Sequence, residues 1–246
     1  MLKSAKNLRG WRLGARDGEI GRVKDVYFDD EGWTVRYLVA DTGGWLAGRE
    51  VLISPHAVRG IEEEPARLVS VDLTKEQVKG SPPIDKDKPV SRQFEQEYCK
   101  YYEWPLYWEG PDLWGAMPAP VVGYVPGVAE PAEKGQPRSG DPHLRSLKEI
   151  SGYPIHARDG EIGHTTDLLF EAEGWAIRYL VVHTGHLWSG KSVLLSPAWV
   201  TSVSWEESRI HANLERSTIE HAPAFDDSTP LTEEYEAKLA DYYKIR

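Results

Sequence analysis

The clearest pattern in the chain lies at residues 33–40, where every second side chain is aromatic or β-branched and apolar. The side chains predicted to share one face of a strand are Trp33, Val35, Tyr37 and Val39. The alternation recurs over residues 175–181. A second strand pattern, at residues 19–28, comes just before the first, and an acidic turn that ends in glycine separates the two. Two strand patterns joined by a short turn predict a β-hairpin.

The hairpin pattern is part of a duplication with an offset of 142 residues. Residues 15–55 and 157–197 are identical at 23 of 41 positions. After a slip of one residue the match continues at an offset of 141 until both copies reach a Tyr-Tyr pair. An internal match of this length indicates two copies of one unit. The predicted domains are a first repeat at residues 1–108, a proline-rich linker at 109–142 and a second repeat at 143–246.

Each repeat continues with short strands and ends in a helical pattern. In the first copy, residues 49–53 and 67–73 have strand patterns, and frequent turns between short strands are typical of a small barrel or sandwich. Ser91 and Thr232 are predicted to be helix N-caps, because each precedes aromatic and apolar residues at helical spacing. The predicted fold is mainly β, with two tandem small β-barrels in a pseudo-two-fold arrangement, each with a short C-terminal helix.

Three motifs that both repeats contain resemble the PRC-barrel family. They are Asp-Gly-Glu-Ile-Gly at 17–21 and 159–163, Trp-x-x-Arg-Tyr-Leu-Val at 33–39 and 175–181, and Val-Leu-x-Ser-Pro at 51–55 and 193–197. The domain is named after the cytoplasmic part of the photosynthetic reaction centre H subunit. It also forms the C-terminal half of the ribosome-maturation factor RimM. The chain resembles the free-standing tandem members most, and the resemblance implies an adaptor without catalysis.

The resemblance also implies two alternative functions. One is a ribosome- or RNA-processing-associated factor similar to RimM. The other is a soluble protein associated with a photosynthetic complex, similar to the reaction centre H subunit. A net charge of −10 argues against a nucleic-acid partner, because such binders usually present a basic face to phosphate. We therefore expect a protein partner, and the sequence leaves open whether the chain forms a homo-oligomer.

The location and chemistry of the protein are constrained mainly by motifs that the sequence lacks. It contains no apolar run of about 18 residues that would span a membrane, and its N-terminus does not read as a secretory signal. Its single cysteine, Cys99, fits a reducing compartment, so we expect a cytoplasmic protein. The sequence has neither a glycine-rich nucleotide loop nor a nucleophile elbow. We expect no catalytic residue, no cofactor and no enzymatic activity.

Three histidines of the second repeat are the candidates for a metal site. His183-x-x-His186 flanks a Thr-Gly loop and, together with His164, could contribute to a zinc site. No cysteine or paired carboxylate completes a known zinc-ligand spacing, so we interpret these residues as surface histidines. A binder of a small ligand or metal remains a third alternative function.

Two tryptophans and two arginines are the candidates for contact with a partner. Trp45 and Trp188 lie in equivalent glycine-flanked loops, where each either anchors a partner or covers its own barrel or the other repeat. Arg36 and Arg178 lie between apolar residues of the central strand. For the arginines we favour a structural role, in which they pair with Asp25 and Asp167 across the hairpin.

The segment that joins the first repeat to the linker, from residue 104 to 114, is rich in aromatic residues, unlike most linkers. We expect residues 104–114 to pack on a barrel.

Overall fold

The architecture comes from a computed structural model that describes residues 1–84, 90–122, 144–185, 190–226 and 231–243. These residues form a mainly β fold with two sheets, as predicted. The elements of the first repeat are β1 (Leu2–Ser4), β2 (Arg12–Ala15), β3 (Gly18–Asp29), β4 (Thr34–Asp41), β5 (Glu50–Ile53), β6 (Val58–Glu62), β7 (Leu68–Val71), α1 (Lys75–Gly80) and α2 (Arg92–Tyr102).

The later part of the chain repeats this order of elements. They are β8 (Leu144–Ser146), α3 (Leu147–Ile150), β9 (Pro154–Ala157), β10 (Gly160–Glu171), β11 (Ile177–His183), β12 (Ser192–Leu195), β13 (Val200–Ser204), β14 (Arg209–Ala212), α4 (Arg216–Glu220), β15 (Ala224–Phe225) and α5 (Glu233–Tyr243). The predicted N-caps are confirmed. Ser91 accepts the N–H of Phe94 at 3.2 Å, and Thr232 accepts that of Tyr235 at 3.2 Å. Within the described residues, no helix is both long and apolar enough to span a bilayer.

The two sheets have the same strand order, except that β15 extends only the second. One runs β6-β7-β2-β3-β4-β5 and the other β13-β14-β9-β10-β11-β12-β15. Among the described strands, the two end strands of each sheet do not pair with each other. The sheets are therefore open, and the prediction of closed barrels is wrong for these residues. A 3₁₀ turn, Pro55–Ala57, separates β5 from β6, and Pro197–Trp199 separates β12 from β13. Because the turn redirects the chain, the strands on either side of it do not pair with each other.

The long strand β3 depends on a glycine in the Asp-Gly-Glu-Ile-Gly motif. Gly21 has φ +137°, and a Cβ at this position would lie 2.0 Å from the carbonyl oxygen of Asp41. Gly163 has φ +134°, and its Cβ would meet the carbonyl oxygen of His183 at 2.0 Å. Any other residue would clash with the backbone of the neighbouring strand, so the motif fixes the approach of β3 to β4 and of β10 to β11.

Each sheet also pairs with the first strand of the other repeat. Strand β1 pairs with β10, and β8 pairs with β3. The two registers are equivalent, because a shift of 142 residues converts each residue pair of one into a residue pair of the other. Between the two hairpins, an isolated bridge joins Thr34 to Ala176, residues that are themselves 142 apart. The N–H of Val35 donates to Trp175 O at 2.9 Å, and that of Ile177 to Trp33 O at 2.6 Å. The hydrophobic core is continuous across both repeats.

Two buried carboxylates hold the exchanged strands in place. Asp167 accepts hydrogen bonds from the hydroxyl of Ser4 and from the N–H of Lys6, the latter at 2.8 Å. In the same way, Asp25 accepts hydrogen bonds from the hydroxyl of Ser146 and from the N–H of Lys148. Both aspartates therefore bind the opposite repeat, and they are not available to pair with arginines of their own hairpins.

Candidate functional site

Residues 104–122, which we call the strap, follow α2 and cover one face of the first repeat. Trp104 stacks on Tyr102 with ring centroids 4.4 Å apart. Trp114 is 1% exposed, and its indole N–H donates to the carbonyl oxygen of Gly174 at 2.9 Å. Residues 104–114 pack on the first repeat, as predicted, although its sheet is not closed into a barrel, and Trp114 also reaches the second repeat.

Arg36 lies beneath the strap. Its side chain is 3% exposed and pairs with Asp29 at 3.0 Å. Its guanidinium carbon lies 3.8 Å from the ring centroid of Tyr107 and 4.8 Å from that of Trp114. The predicted pairing with Asp25 is wrong, because that aspartate binds the opposite repeat. Since the strap covers the guanidinium, Arg36 has no free face to offer an external partner.

A carboxyl group is buried beside this arginine. Glu95 is 1% exposed and accepts hydrogen bonds from Tyr37 at 3.1 Å and from Tyr107 at 3.0 Å. Arg92 lies 3.6 Å from its other oxygen. Burial raises the pKa of Glu95 to about 7, against the lowering effect of Arg92 and the two tyrosines. The strap thus contributes Tyr107 to a network that ties it to α2.

The far end of the strap contacts a buried histidine. The N–H of Val121 donates to Nδ1 of His56 at 3.2 Å, and the His56 ring lies edge-on to Trp114, with centroids 5.0 Å apart. Burial lowers the pKa of His56 to about 4, so the ring is neutral near pH 7. Aromatic and neutral polar contacts therefore hold this end.

The second repeat has the same or a chemically similar residue at each equivalent position, but these side chains are more exposed. The equivalents of Asp29, Arg36, Tyr37 and Glu95 are Glu171, Arg178, Tyr179 and Glu236. Arg178 is 51% exposed and pairs with Glu171 at 3.3 Å, so the predicted pairing with Asp167 is wrong. The hydroxyl of Tyr179 donates to Glu236 at 3.3 Å, as the hydroxyl of Tyr37 does to Glu95.

A groove of about 430 Å³, which we call the repeat-2 groove, occupies the position that the strap fills in the first repeat. Its walls include Gly32, Trp33, Arg178, Pro197, Leu239 and Ala240. An adjoining cavity of about 1000 Å³ shares Arg178 and is lined by six glutamates, four of which belong to the second repeat: Glu171, Glu173, Glu233 and Glu236. An exposed guanidinium beside apolar walls can stack on an aromatic ring, a common arrangement at protein interfaces.

The predicted loop anchors are only partly described. Trp45 lies in a 3₁₀ turn, Gly43–Leu46, and is 38% exposed. Its indole N–H donates to Ile20 O at 3.0 Å, and Nζ of Lys75 lies 5.6 Å from its ring centroid. Trp188 lies outside the described residues. Trp45 therefore contacts β3 of its own repeat while part of its side chain stays exposed, and its role in partner binding stays a prediction.

Two of the three candidate metal ligands lie side by side. His164 and His183 are cross-strand neighbours with ring centroids 5.5 Å apart, whereas His186 lies outside the described residues. Desolvation and the neighbouring His183 lower the pKa of His164. The described ranges contain no group of three or more His, Cys, Asp or Glu side chains that could hold a metal ion. Two imidazoles alone do not complete the four-coordinate site that zinc prefers.

The sequence analysis missed the buried network of the first repeat. Its clearest signal was Glu95, an acidic residue one turn before Tyr98 in a helix with an aromatic stripe, which recurs as Glu236. An acidic residue at the same place in both copies, beside the stripe that packs on the sheet, indicates a buried polar partner. Its partner Tyr107 lies beyond the Tyr-Tyr pair at which the match between the copies ends, so no repeat pattern could have pointed to it.

Comparison with known proteins identifies one domain. The family model described as PRC-barrel domain matches residues 2–77. This range contains strands β1 to β7, including the Asp-Gly-Glu-Ile-Gly motif at 17–21. No curated protein matches the chain. The chain therefore carries a PRC-barrel domain at residues 2–77, which confirms the family that its motifs resemble.

Proposed function

We propose that the protein is a non-catalytic adaptor that binds another protein in the cytoplasm through its second repeat. The observation that carries the proposal is the difference between two equivalent faces. The strap covers this face in the first repeat, whereas no described residue lies over it in the second. In the first repeat, the equivalent surface is buried against a peptide segment. The surface of the second repeat therefore has the shape and chemistry for a protein contact.

The proposal includes two tandem PRC-barrel-like repeats, at residues 1–108 and 143–246, related by a pseudo-two-fold axis. The exchanged strands β1 and β8 support it, since their registers interconvert under the 142-residue offset. The bridge between Thr34 and Ala176 supports it as well, because a contact between equivalent residues lies on such an axis.

Binding accounts for these residues better than catalysis does. Glu95 and His56, whose pKa values burial moves to about 7 and about 4, are 1% and 3% exposed beneath the strap. A general acid or base must reach its substrate. At the repeat-2 groove, Arg178 and Tyr179 already pair with carboxylates of the same repeat.

Co-purification after cross-linking in cells tests the proposal, with the full chain as bait. We expect the Arg178→Glu variant to recover a specific protein partner at least about tenfold less well than the wild type. The matched control is Arg158→Glu, which reverses an exposed charge in the same repeat and should leave recovery unchanged. Equal recovery by the two variants, or turnover of a substrate with no partner found, would contradict the proposal.

A further inference from the structure

We propose that the repeat-2 groove binds an extended segment of a partner protein that contains tryptophan and proline and carries at least one basic residue. This inference rests on the proposed function and specifies the chemistry of the partner. The first repeat supplies the template, because it holds such an aromatic, proline-containing segment on the equivalent face.

The groove reproduces the surroundings of Trp114. That indole lies against Arg36 and His56 and donates to Gly174 O. The equivalents in the second copy are Arg178, Ala198 and Gly32, and two of them, Arg178 and Gly32, line the groove. The site therefore contains a guanidinium and a backbone carbonyl in the same relation to the fold as those that hold Trp114.

There is space for an aromatic ring at this position. Two ring-bearing residues that contact the strap, His56 and Tyr98, are replaced in the second repeat by Ala198 and Leu239. Both replacements lack the ring. The groove volume of about 430 Å³ lies within the range of ordinary ligand pockets.

A hydrogen-bond acceptor is also available. Gly32 O accepts the hydroxyl of Thr34 at 2.8 Å. A carbonyl oxygen has two lone pairs, so it can accept a second donor such as an indole N–H. An indole seated against Arg178 would thus be bound by its ring face and by its polar edge, as Trp114 is.

The charge around the groove indicates the basic residue. In the first repeat, Arg92 pairs with Glu95, and its guanidinium carbon lies 4.5 Å from the ring centroid of Trp108. The residue equivalent to Arg92 is Glu233. Two cations of the adjoining cavity, Lys3 and Arg67, already pair with Glu63 and Glu64 of the first repeat. The four glutamates of the second repeat then face Arg178 alone, so their excess negative charge favours a bound segment that brings its own cation.

The strap of a second copy fits this site less well. It carries Glu109 and Asp112, which would face the four glutamates. It is also already held in its own chain through Trp114 and through the hydrogen bond from Arg36 to Leu113 O. A basic segment of a different protein meets neither obstacle.

Isothermal titration of the full chain with synthetic peptides tests this inference. The probe has the sequence of residues 104–117 with the changes Glu109→Lys and Asp112→Lys. We expect it to bind, and a version that also carries Trp114→Ala to bind at least about tenfold more weakly. In the protein, Ala240→Trp fills the groove and should weaken binding by a similar factor. Ala237→Trp, at an exposed position of the same helix, is the matched control and should leave binding unchanged.

Three results would overturn the inference. They are no binding of the probe, binding that Ala240→Trp does not weaken, and a homodimer that Ala240→Trp dissociates while the probe fails to bind. If the probe fails although recovery of a cellular partner depends on Arg178, the proposed function stands and only the chemistry of the partner is wrong. If the probe binds but no cellular partner is recovered, the groove has the inferred specificity and the adaptor role fails.

Discussion

The same face of the duplicated unit is covered by the strap in the first repeat, whereas among the described residues it is open in the second. Arg36 and Arg178 are equivalent residues, yet one has a 3% exposed side chain between two aromatic rings and the other a 51% exposed one. The difference comes from the strap, residues 104–122, and not from the sheets, whose strand order is the same. Within the described part of the chain, one repeat thus buries this face against a peptide segment and the other leaves it exposed.

The covered copy shows how burial changes the chemistry of equivalent groups. Glu95 and Glu236 both accept a hydrogen bond from the tyrosine of the central strand. Burial raises the pKa of Glu95 to about 7, because this carboxyl group is almost fully removed from water. Properties of the first repeat therefore cannot be transferred to the second without accounting for the strap.

The largest expected effect comes from removing the residue that holds the strap. Trp114→Ala should lower the free energy of unfolding by about 4 kcal/mol, because a fully buried indole and its hydrogen bond to the second repeat are lost. Trp45→Ala, at a 38% exposed position, should cost about 1 kcal/mol or less. Urea denaturation of both variants measures the difference. Similar losses for the two would mean that the strap does not stabilise the fold.

The equivalent arginines should differ nearly as much. Arg36→Ala leaves Asp29 buried without its cation, a change that typically costs about 3 kcal/mol or more. Arg178→Ala breaks a solvent-exposed pair with Glu171 and should cost less than about 0.5 kcal/mol. The same denaturation series compares them. A large loss of unfolding free energy in Arg178→Ala would show that Arg178 is as well shielded from water as Arg36.

The pH dependence of stability tests the burial of Glu95. The folded-state pKa of Glu95, about 7, lies above the ordinary value of 4.5, so ionisation of Glu95 destabilises the fold as pH rises through 4.5 to 7. Relative to wild type, Glu95→Gln should be neutral near pH 4 and more stable by about 2 kcal/mol at pH 8. Thermal unfolding of both proteins at both pH values provides the measurement. A stability difference between Glu95→Gln and wild type that is the same at the two pH values would contradict the burial of this carboxyl group.

The smallest effects concern the strands that the repeats exchange. Ser4→Ala and Ser146→Ala each remove a hydroxyl that donates to a buried aspartate, and each should cost about 1 kcal/mol. Because the two contacts are equivalent, the losses should agree within about 0.5 kcal/mol. Denaturation midpoints of the two single variants test this. A marked inequality would indicate that the exchange is not symmetric.

Local patterns in the sequence were enough to predict the hairpins and the C-terminal helices. Alternation predicted β4 and β11, and the caps Ser91 and Thr232 marked where α2 and α5 begin. These features depend on neighbours in the chain, so the sequence around each one carries the information. The short strand between the Ser-Pro turn and β7 was missed, since β6 has no regular alternation.

The contacts between repeats could not be predicted in the same way. Strands β1 and β8 have three residues each, too few for a periodic pattern, and their partners lie in the other repeat. For the same reason Asp25 and Asp167 were paired with arginines of their own hairpins, when each binds a serine and a backbone N–H across the boundary. The aromatic content of the linker did indicate packing, but not that Trp114 would reach Gly174.

Thiol labelling at equivalent positions tests the central claim most directly. Cys99, the single cysteine, corresponds to Ala240, which lines the repeat-2 groove. Burial raises the pKa of Cys99 to about 12, so its thiol should react very slowly in the folded protein. In a Cys99→Ala background, Ala240→Cys should react with a water-soluble thiol reagent at least about 100-fold faster than Cys99 does in the wild type. Comparable protection of the two thiols would show that the second face is covered as well, which would contradict the account.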